Sequence, residues 1–279
     1  MTPFTRTGKA LSYPYSLSRW TDVPASKWAW FQDALKGRSF YGVDPATGVP
    51  CRWSLRPEDT LGLIFWTKDP SNLIRSRDLL REYPSIQVHV TVTGWEEVER
   101  GAPSLERGAH LLGETAKIFG PQNTFWRFSP VPLLSEVVKR FDRILPIAQE
   151  HGLKQVYTSF LQPNDRMGET RSTEERQGVL WELADHANRY GVEVLLCNED
   201  TLLQGATKVP NLCSGVCAPP EYYSLPNMAK PPSEGCGCVL MVDPFNINES
   251  CSFGCAYCYA ADKSLSPKRK NTTLPIFGG

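Results

Sequence analysis

Cys251-Ser-Phe-Gly-Cys255-Ala-Tyr-Cys258, near the end of a 279-residue chain, places three cysteines on one short loop with three and then two residues between them. Three thiolates at this spacing suit three corners of an iron-sulfur cube. An ordinary 4Fe-4S electron-transfer centre takes four cysteine ligands, so a loop that offers three leaves one iron open to a substrate or cofactor. A zinc knuckle is the other chemistry that clustered thiols support. Tyr257 stands immediately before the last cysteine.

Five more cysteines fall between residues 197 and 238. Cys197 ends an apolar run, Cys213 and Cys217 flank Ser-Gly-Val, and Cys236-Gly-Cys238 opens the last apolar run. Four of them would form a second site, with Cys197, Cys213, Cys236 and Cys238 as the expected ligands and Cys217 as the spare. Such a set holds either an auxiliary iron-sulfur cluster or structural zinc; reduced thiols without metal are the alternative. Eight of the nine cysteines lie after residue 196, and this clustering argues for metal or redox chemistry over a disulfide framework.

Composition narrows the class. Thirty basic and thirty acidic residues cancel, so bulk charge gives no argument for nucleic acid or a membrane surface. No apolar run reaches the roughly 18 residues of a membrane span. The start MTPFTRTGK lacks the apolar core of a signal peptide. A cytoplasmic protein with no membrane partner is expected. Lys268-Arg269-Lys270, in the tail, would touch nucleic-acid phosphates or be solvated.

The elements that must carry these cysteines follow from periodicity. Short runs rich in β-branched and aromatic residues predict strands over 12–18, 61–67, 86–93, 123–128, 154–160, 191–197 and 238–243. Helical patterns predict helices over 24–36, 70–82, 104–118, 132–150 and 173–189. In the last of these Val179, Leu180, Leu183, Ala184 and Ala187 share a face. Residues 37–60, punctuated by glycine and proline, read as a loop or hairpin insertion. The alternation predicts an α/β fold, a whole or partial TIM-type βα barrel. Residues 1–197 would be its body, 198–237 an irregular Cys/Pro-rich segment, and 238–279 a last strand, the cysteine loop and a basic tail.

Chemistry in such a fold collects at the C-terminal ends of strands. The first strand ends in Ser18-Arg-Trp-Thr21-Asp22, where Asp22 would accept from a ligand ammonium or cap the following helix. The second ends in Thr67-Lys68, and Lys68 would pair with a carboxylate or be solvated. His89, Thr91 and Thr93 alternate onto one face of the third. Arg127, in the middle of an apolar strand, must meet an anion, either a structural carboxylate or a substrate phosphate.

The three-cysteine loop with Tyr257 in its aromatic slot resembles the signature of the radical S-adenosylmethionine (SAM) superfamily. The blocks SLSRWTDVPASKW, FWTKDP, HVTVTG, SLERG, FWRFSPV and CGC are similar to an uncharacterised bacterial family whose C-terminal cysteines resemble that cluster. More distantly, the order Thr-Asp, Thr-Lys, polar strand, Ser-Leu-Glu-Arg is similar to spore photoproduct lyase. The resemblance implies a 4Fe-4S cluster on Cys251, Cys255 and Cys258, and SAM as cofactor. It also implies a flavodoxin- or ferredoxin-type electron donor and hydrogen abstraction from a substrate that would be DNA or a nucleotide, a small metabolite or a peptide. Ser18, Thr21, Asp22 and Lys68 would position SAM, with His89, Thr93 and Arg127 facing SAM or substrate. The superfamily places its cysteine loop after the first strand, whereas here it comes last, which implies a circular permutation with 238–243 beside 12–18. The alternative function is a zinc- or iron-sulfur-stabilised binding or electron-transfer protein. The permuted reading makes a geometric prediction: the three cysteines should lie beside Thr21 and Asp22, and a loop on a detached tail would remove its main support.

Overall fold

The computed structural model describes residues 13–18, 20–45, 48–132, 136–161, 172–204, 209–223, 236–244 and 251–258. In chain order the strands are β1 (Pro14–Ser16), β2 (Ser39–Val43), β3 (Pro50–Ser54), β4 (Gly62–Thr67), β5 (Ile86–Thr91), β6 (Thr124–Val131), β7 (Gln155–Phe160), β8 (Glu193–Cys197), β9 (Leu212–Gly215) and β10 (Asp243–Pro244). The helices are α1 (Val23–Ser26), α2 (Trp28–Lys36), α3 (Ser71–Arg75), α4 (Leu105–Phe119), α5 (Val137–Asp142), α6 (Leu145–Glu150) and α7 (Thr173–Asn188). Among the described residues no helix is long and apolar enough to cross a membrane.

Seven strands form one parallel sheet in the order β1-β4-β5-β6-β7-β8-β9. The α/β class read from the alternation therefore holds. As a ladder the sheet is open, since among the described residues no strand pairing joins β9 to β1. The expected strand 238–243 is not a regular strand, yet it lies where the permuted order requires. Val242 forms a parallel bridge with Tyr15. Ser16 N donates to Val242 O at 2.9 Å, and Val242 N donates to Pro14 O at 3.1 Å. Val239 N donates to Ala218 O, beyond β9, at 2.9 Å. The chain then leaves through β10, which pairs antiparallel with β2 of the β2–β3 hairpin, the insertion anticipated over 37–60.

Local chemistry explains where the helices depart from expectation. Helix α7 begins at a reciprocal capping box of Ser172 and Glu175 and buries Leu180, Leu183, Ala184 and Ala187. The single helix expected over 132–150 is two, because Pro146 in the first turn of α6 has no N–H to continue α5; residues 133–135 lie outside the described set. The helix expected over 24–36 breaks at Lys27, whose backbone is non-helical. Over 70–82 the chain makes α3 and then a 3-10 turn at Arg77–Leu80. Strand β9 lies in the stretch read as irregular. Leu-Cys-Ser-Gly has no apolar alternation, and its place is set by backbone pairing with β8.

The period of two in each strand divides the sheet into two faces. Leu63, Phe65, Val88, Val90, Trp126, Phe128, Val156, Val194 and Leu196 pack against the helices. Ile64, Tyr157 and Leu195 face the other way and pack with Cys217, Ala218, Tyr223, Cys238, Val239 and Met241. The final segment thus fills the second face of the sheet. On the helix side, Phe141 stacks on Trp126 at 4.9 Å and meets Phe128 edge-on at 5.0 Å. Phe141→Ala should therefore destabilise the fold by about 3–5 kcal/mol, measured by urea unfolding; a loss below about 1 kcal/mol would contradict this packing.

Candidate functional site

The cysteine loop is seated on two elements at the C-terminal edge of the sheet. Gly101 N donates to Phe253 O at 2.9 Å, and Ala256 N donates to Val98 O at 2.8 Å. A Cβ at Gly101 would come within 2.5 Å of Ser252 O and 2.8 Å of Phe253 Cα, so only glycine admits the loop there. On the other side, Ser252 N donates to Ser26 Oγ at 3.0 Å, at the end of α1.

A buried carboxylate fixes the loop further. Glu99 accepts from Thr93 Oγ1 at 2.9–3.0 Å and from the Tyr257 hydroxyl, and Lys68 Nζ stands 2.8 Å from its Oε1. Burial first, then Glu99, pushes the Tyr257 phenol well above its ordinary range. Thr93 and Tyr257 therefore position Glu99 and the loop. Nothing in the local pattern sets Glu99 apart from Glu96 and Glu97, which are exposed.

Cys251, Cys255, Cys258, Phe253 and Tyr257 share a cavity of about 170 Å³ with Ser18, Trp20, Thr21, Asp22, Trp66, Lys68 and Ser129. The loop thus lies beside Thr21 and Asp22, as the permuted order predicts. The chain on either side of the loop, 245–250 and 259–279, is outside the described residues. A larger hollow of about 380 Å³, lined by Arg77, Tyr83 and Asn123, sits at the N-terminal ends of β5 and β6 and contains no cysteine. The chemistry is therefore assigned to the smaller cavity.

Its polar lining is incompletely used by the protein. Ser18 Oγ, Thr21 Oγ1 and Lys68 Nζ are buried and have no hydrogen-bond partner among the described residues; the Lys68–Glu99 contact is an ion pair without hydrogen-bond geometry. Buried polar atoms are ordinarily satisfied, so the Ser18 and Thr21 hydroxyls are the candidates to meet a ligand in this cavity. Asp22 is different. Its Oδ1 accepts from Ala25 N at 3.0 Å and Thr67 Oγ1 at 2.8 Å, and its Oδ2 from Lys68 N at 2.7 Å. It caps α1 and ties it to the end of β4. Burial pushes the Cys255 thiol up to about 11, opposed by Lys68. Among the described residues no three His, Cys, Asp or Glu side chains, as they stand, form a group able to hold a metal ion.

His89 and Arg127 lie elsewhere. His89 is stacked between Trp66 and Phe125, at 5.4 and 4.7 Å; burial lowers its ring to about 3, and neither ring nitrogen makes a well-formed hydrogen bond. Arg127 Nη1 donates to Cys217 Sγ at 3.2 Å. Its anion is therefore sulfur, and it gives no support to a phosphate-bearing substrate. Neither residue lines the loop cavity, because alternation on β5 and β6 turns both toward a second cysteine group.

In that group Cys197 and Cys217 stand 3.6 Å apart, sulfur to sulfur. Cys238 joins Cys217, and Cys236 joins Cys238. Contact with Cys197 and Cys238, and then with Arg127, draws the Cys217 thiol well below its usual range. The fourth member is Cys217, which was the expected spare; Cys213 is exposed on β9. A residue two past a four-residue strand could not be oriented without knowing that the strand existed.

A parallel-sheet α/β protein with a three-cysteine loop at the C-terminal edge of its strands is the class that fold and site define. The chain belongs to the family described as domain of unknown function DUF1848, which matches residues 15–260. No curated protein matches it.

The Asp22 geometry has a pH consequence. Burial, outweighing the three donors and Lys68, raises this carboxyl from 3.8 to about 7. The unfolded chain releases the proton near pH 3.8 and the folded chain holds it to about pH 7, so the stability linked to Asp22 falls as pH rises through that window. Asp22→Asn removes the titration. The melting-temperature difference, variant minus wild type, should increase from about pH 4.5 to about pH 7.5; a difference that is flat or decreasing refutes the assignment.

Proposed function

We propose that this protein is a radical SAM enzyme built on a circularly permuted, partial βα barrel. Cys251, Cys255 and Cys258 would hold a 4Fe-4S cluster, with the SAM amino-acid moiety on its open iron. The observation that carries this reading is the shared cavity: three thiols together with the buried, unpartnered hydroxyls of Ser18 and Thr21 and the ammonium of Lys68, ion-paired with Glu99. The permuted barrel is supported by residues 239–242, which hydrogen-bond to β1 on one side and to Ala218, in the turn beyond β9, on the other.

Once reduced by an external electron donor, a cluster held by Cys251, Cys255 and Cys258 would supply the electron for reductive cleavage of SAM bound in this cavity. The chain's own groups bind and orient. Lys68 offers donors suited to a carboxylate, while Glu99 beside it holds the ammonium in place and keeps the local charge near neutral. Ser18 and Thr21 add hydroxyl partners. Asp22 Oδ2, with one protein donor, retains a lone pair for a ligand ammonium. Trp20, Trp66 and Phe253 give the cavity apolar walls that exclude water.

The test is anaerobic reconstitution with iron and sulfide, then reduction in the presence of SAM. Wild type should bind iron, turn brown and form 5'-deoxyadenosine. Cys251→Ala should lose both, and Lys68→Ala should keep the iron while weakening SAM about tenfold, equivalent to about 1.4 kcal/mol. If Cys251→Ala retains iron and cleaves SAM as well as wild type, the proposal is wrong. A colourless wild-type protein that holds only zinc would favour the binding-protein alternative.

A further inference from the structure

Cys197, Cys217, Cys236 and Cys238 come from three separate stretches of chain: the end of β8, the turn after β9, and the segment that bridges the two edges of the sheet. Their sulfurs meet inside the second core, among Tyr157, Leu195, Ala218 and Met241. The group is distinct from the loop cavity, none of whose lining residues it includes.

Two observations point to a ligand there. The first is Arg127. Its guanidinium is fixed in charge and partly buried, and its closest described partner is Cys217 Sγ at 3.2 Å. No ion pair with a carboxylate is seen for it among the described residues. A partly buried cation in a sulfur environment is stable when that environment carries negative charge, and metal-bound thiolates carry it as a permanent feature. The second is the spacing. Sulfurs at the corners of a tetrahedron about 2.3 Å from a central zinc stand about 3.8 Å apart. Cys197 and Cys217 are 3.6 Å apart. The terminal sulfurs of a 4Fe-4S cubane, each on a different iron, lie much farther from one another.

We propose that Cys197, Cys217, Cys236 and Cys238 form a mononuclear tetrathiolate zinc site, which staples the final segment across the seam of the sheet, with Arg127 balancing part of its charge. In the structure the four sulfurs run as a chain of contacts, 197 to 217 to 238 to 236, and a shared ion requires them to draw closer together than they stand. Backbone support is present, since Ala218 N donates to Cys238 Sγ at 3.4 Å and Val239 N to Ala218 O at 2.9 Å. The site does not depend on the loop reading, because the two ligand sets share no residue.

The experiment uses the full chain purified without oxygen, as wild type and as the triple variant Cys251→Ala, Cys255→Ala, Cys258→Ala. Elemental analysis should find about one zinc per chain in both, and zinc-edge X-ray absorption should show about four sulfurs near 2.3 Å. Cobalt substituted into the triple variant should give the intense thiolate charge-transfer bands of a tetrahedral site. Cys217→Ser should lose most of the zinc; should that variant fail to fold, absorption on the wild type still decides. Three results overturn the proposal: no zinc in either protein, iron with acid-labile sulfide in the triple variant, or a Cys197–Cys217 disulfide seen as a loss of about 2 Da. Retention of zinc in the triple variant would stand even if SAM cleavage failed in the wild type, so the two readings fail separately.

Discussion

The position of the cysteine loop depends on one buried charge. A carboxylate out of water is tolerated when it is paired and hydrogen-bonded, and Glu99, 4 % exposed, draws its partners from three places. Lys68 comes from the turn after β4, Thr93 from just past β5, and Tyr257 from the loop itself, 158 residues away in sequence. Moving the loop strands the carboxylate, and moving Glu99 strands Lys68. The two backbone hydrogen bonds to the 95–102 turn and the glycine contact at Gly101 add register to this electrostatic constraint. The ion pair that holds the loop also sets Lys68 in the cavity wall.

The sheet has two apolar faces, and chemistry is distributed between them by alternation. On β5, Val88 and Val90 turn to the helices while His89 turns inward; on β6, Trp126 and Phe128 turn outward while Phe125 and Arg127 turn inward. The inward set reaches the second cysteine group, and the residues past the strand ends reach the loop cavity. Strand ends and strand middles thus serve different sites, although both lie on one side of the same strands. The stacked Trp66, His89 and Phe125 separate them as an aromatic layer, with Trp66 contributing to the cavity wall.

Sequence pattern made the local part of this arrangement legible. Strands with β-branched runs, such as 62–67 and 155–160, fall within a residue or two of their expected bounds, because alternation and burial there agree. The adjacency of 238–243 to the first strand was also readable, through the resemblance and the order it implies. Strand β9 was not: Leu212 to Gly215 is held by β8 and has no pattern of its own. That omission placed Cys213 in the second cysteine group, where the structure puts Cys217. Arg127, expected to meet a carboxylate or a phosphate, meets a cysteine sulfur instead, and that partner is a long-range fact, with Cys217 90 positions further along the chain. Glu99 was illegible for the same reason, as its partners are distant and its neighbours are acidic and solvated.

An open parallel sheet carries two free edges, each a row of unpaired backbone groups that invites other chains. Residues 236–242 meet the β1 edge and the turn beyond β9. Ser16 N and Val242 N make two backbone bonds at β1, and Val239 N bonds to Ala218 O past the end of β9, a sparse set compared with a full ladder. Side chains must supply the remainder, and they do: Val239 and Met241 enter the second core, Cys238 accepts from Ala218 N, and Val242 is fully buried in the helix-side core. Because this segment precedes the cysteine loop, the loop is anchored twice, upstream through the seam and directly through Glu99. A loop that comes last in the chain is therefore held in place, since the contacts of Val242 with β1 and of Tyr257 with Glu99 fix the segment before it and the loop itself.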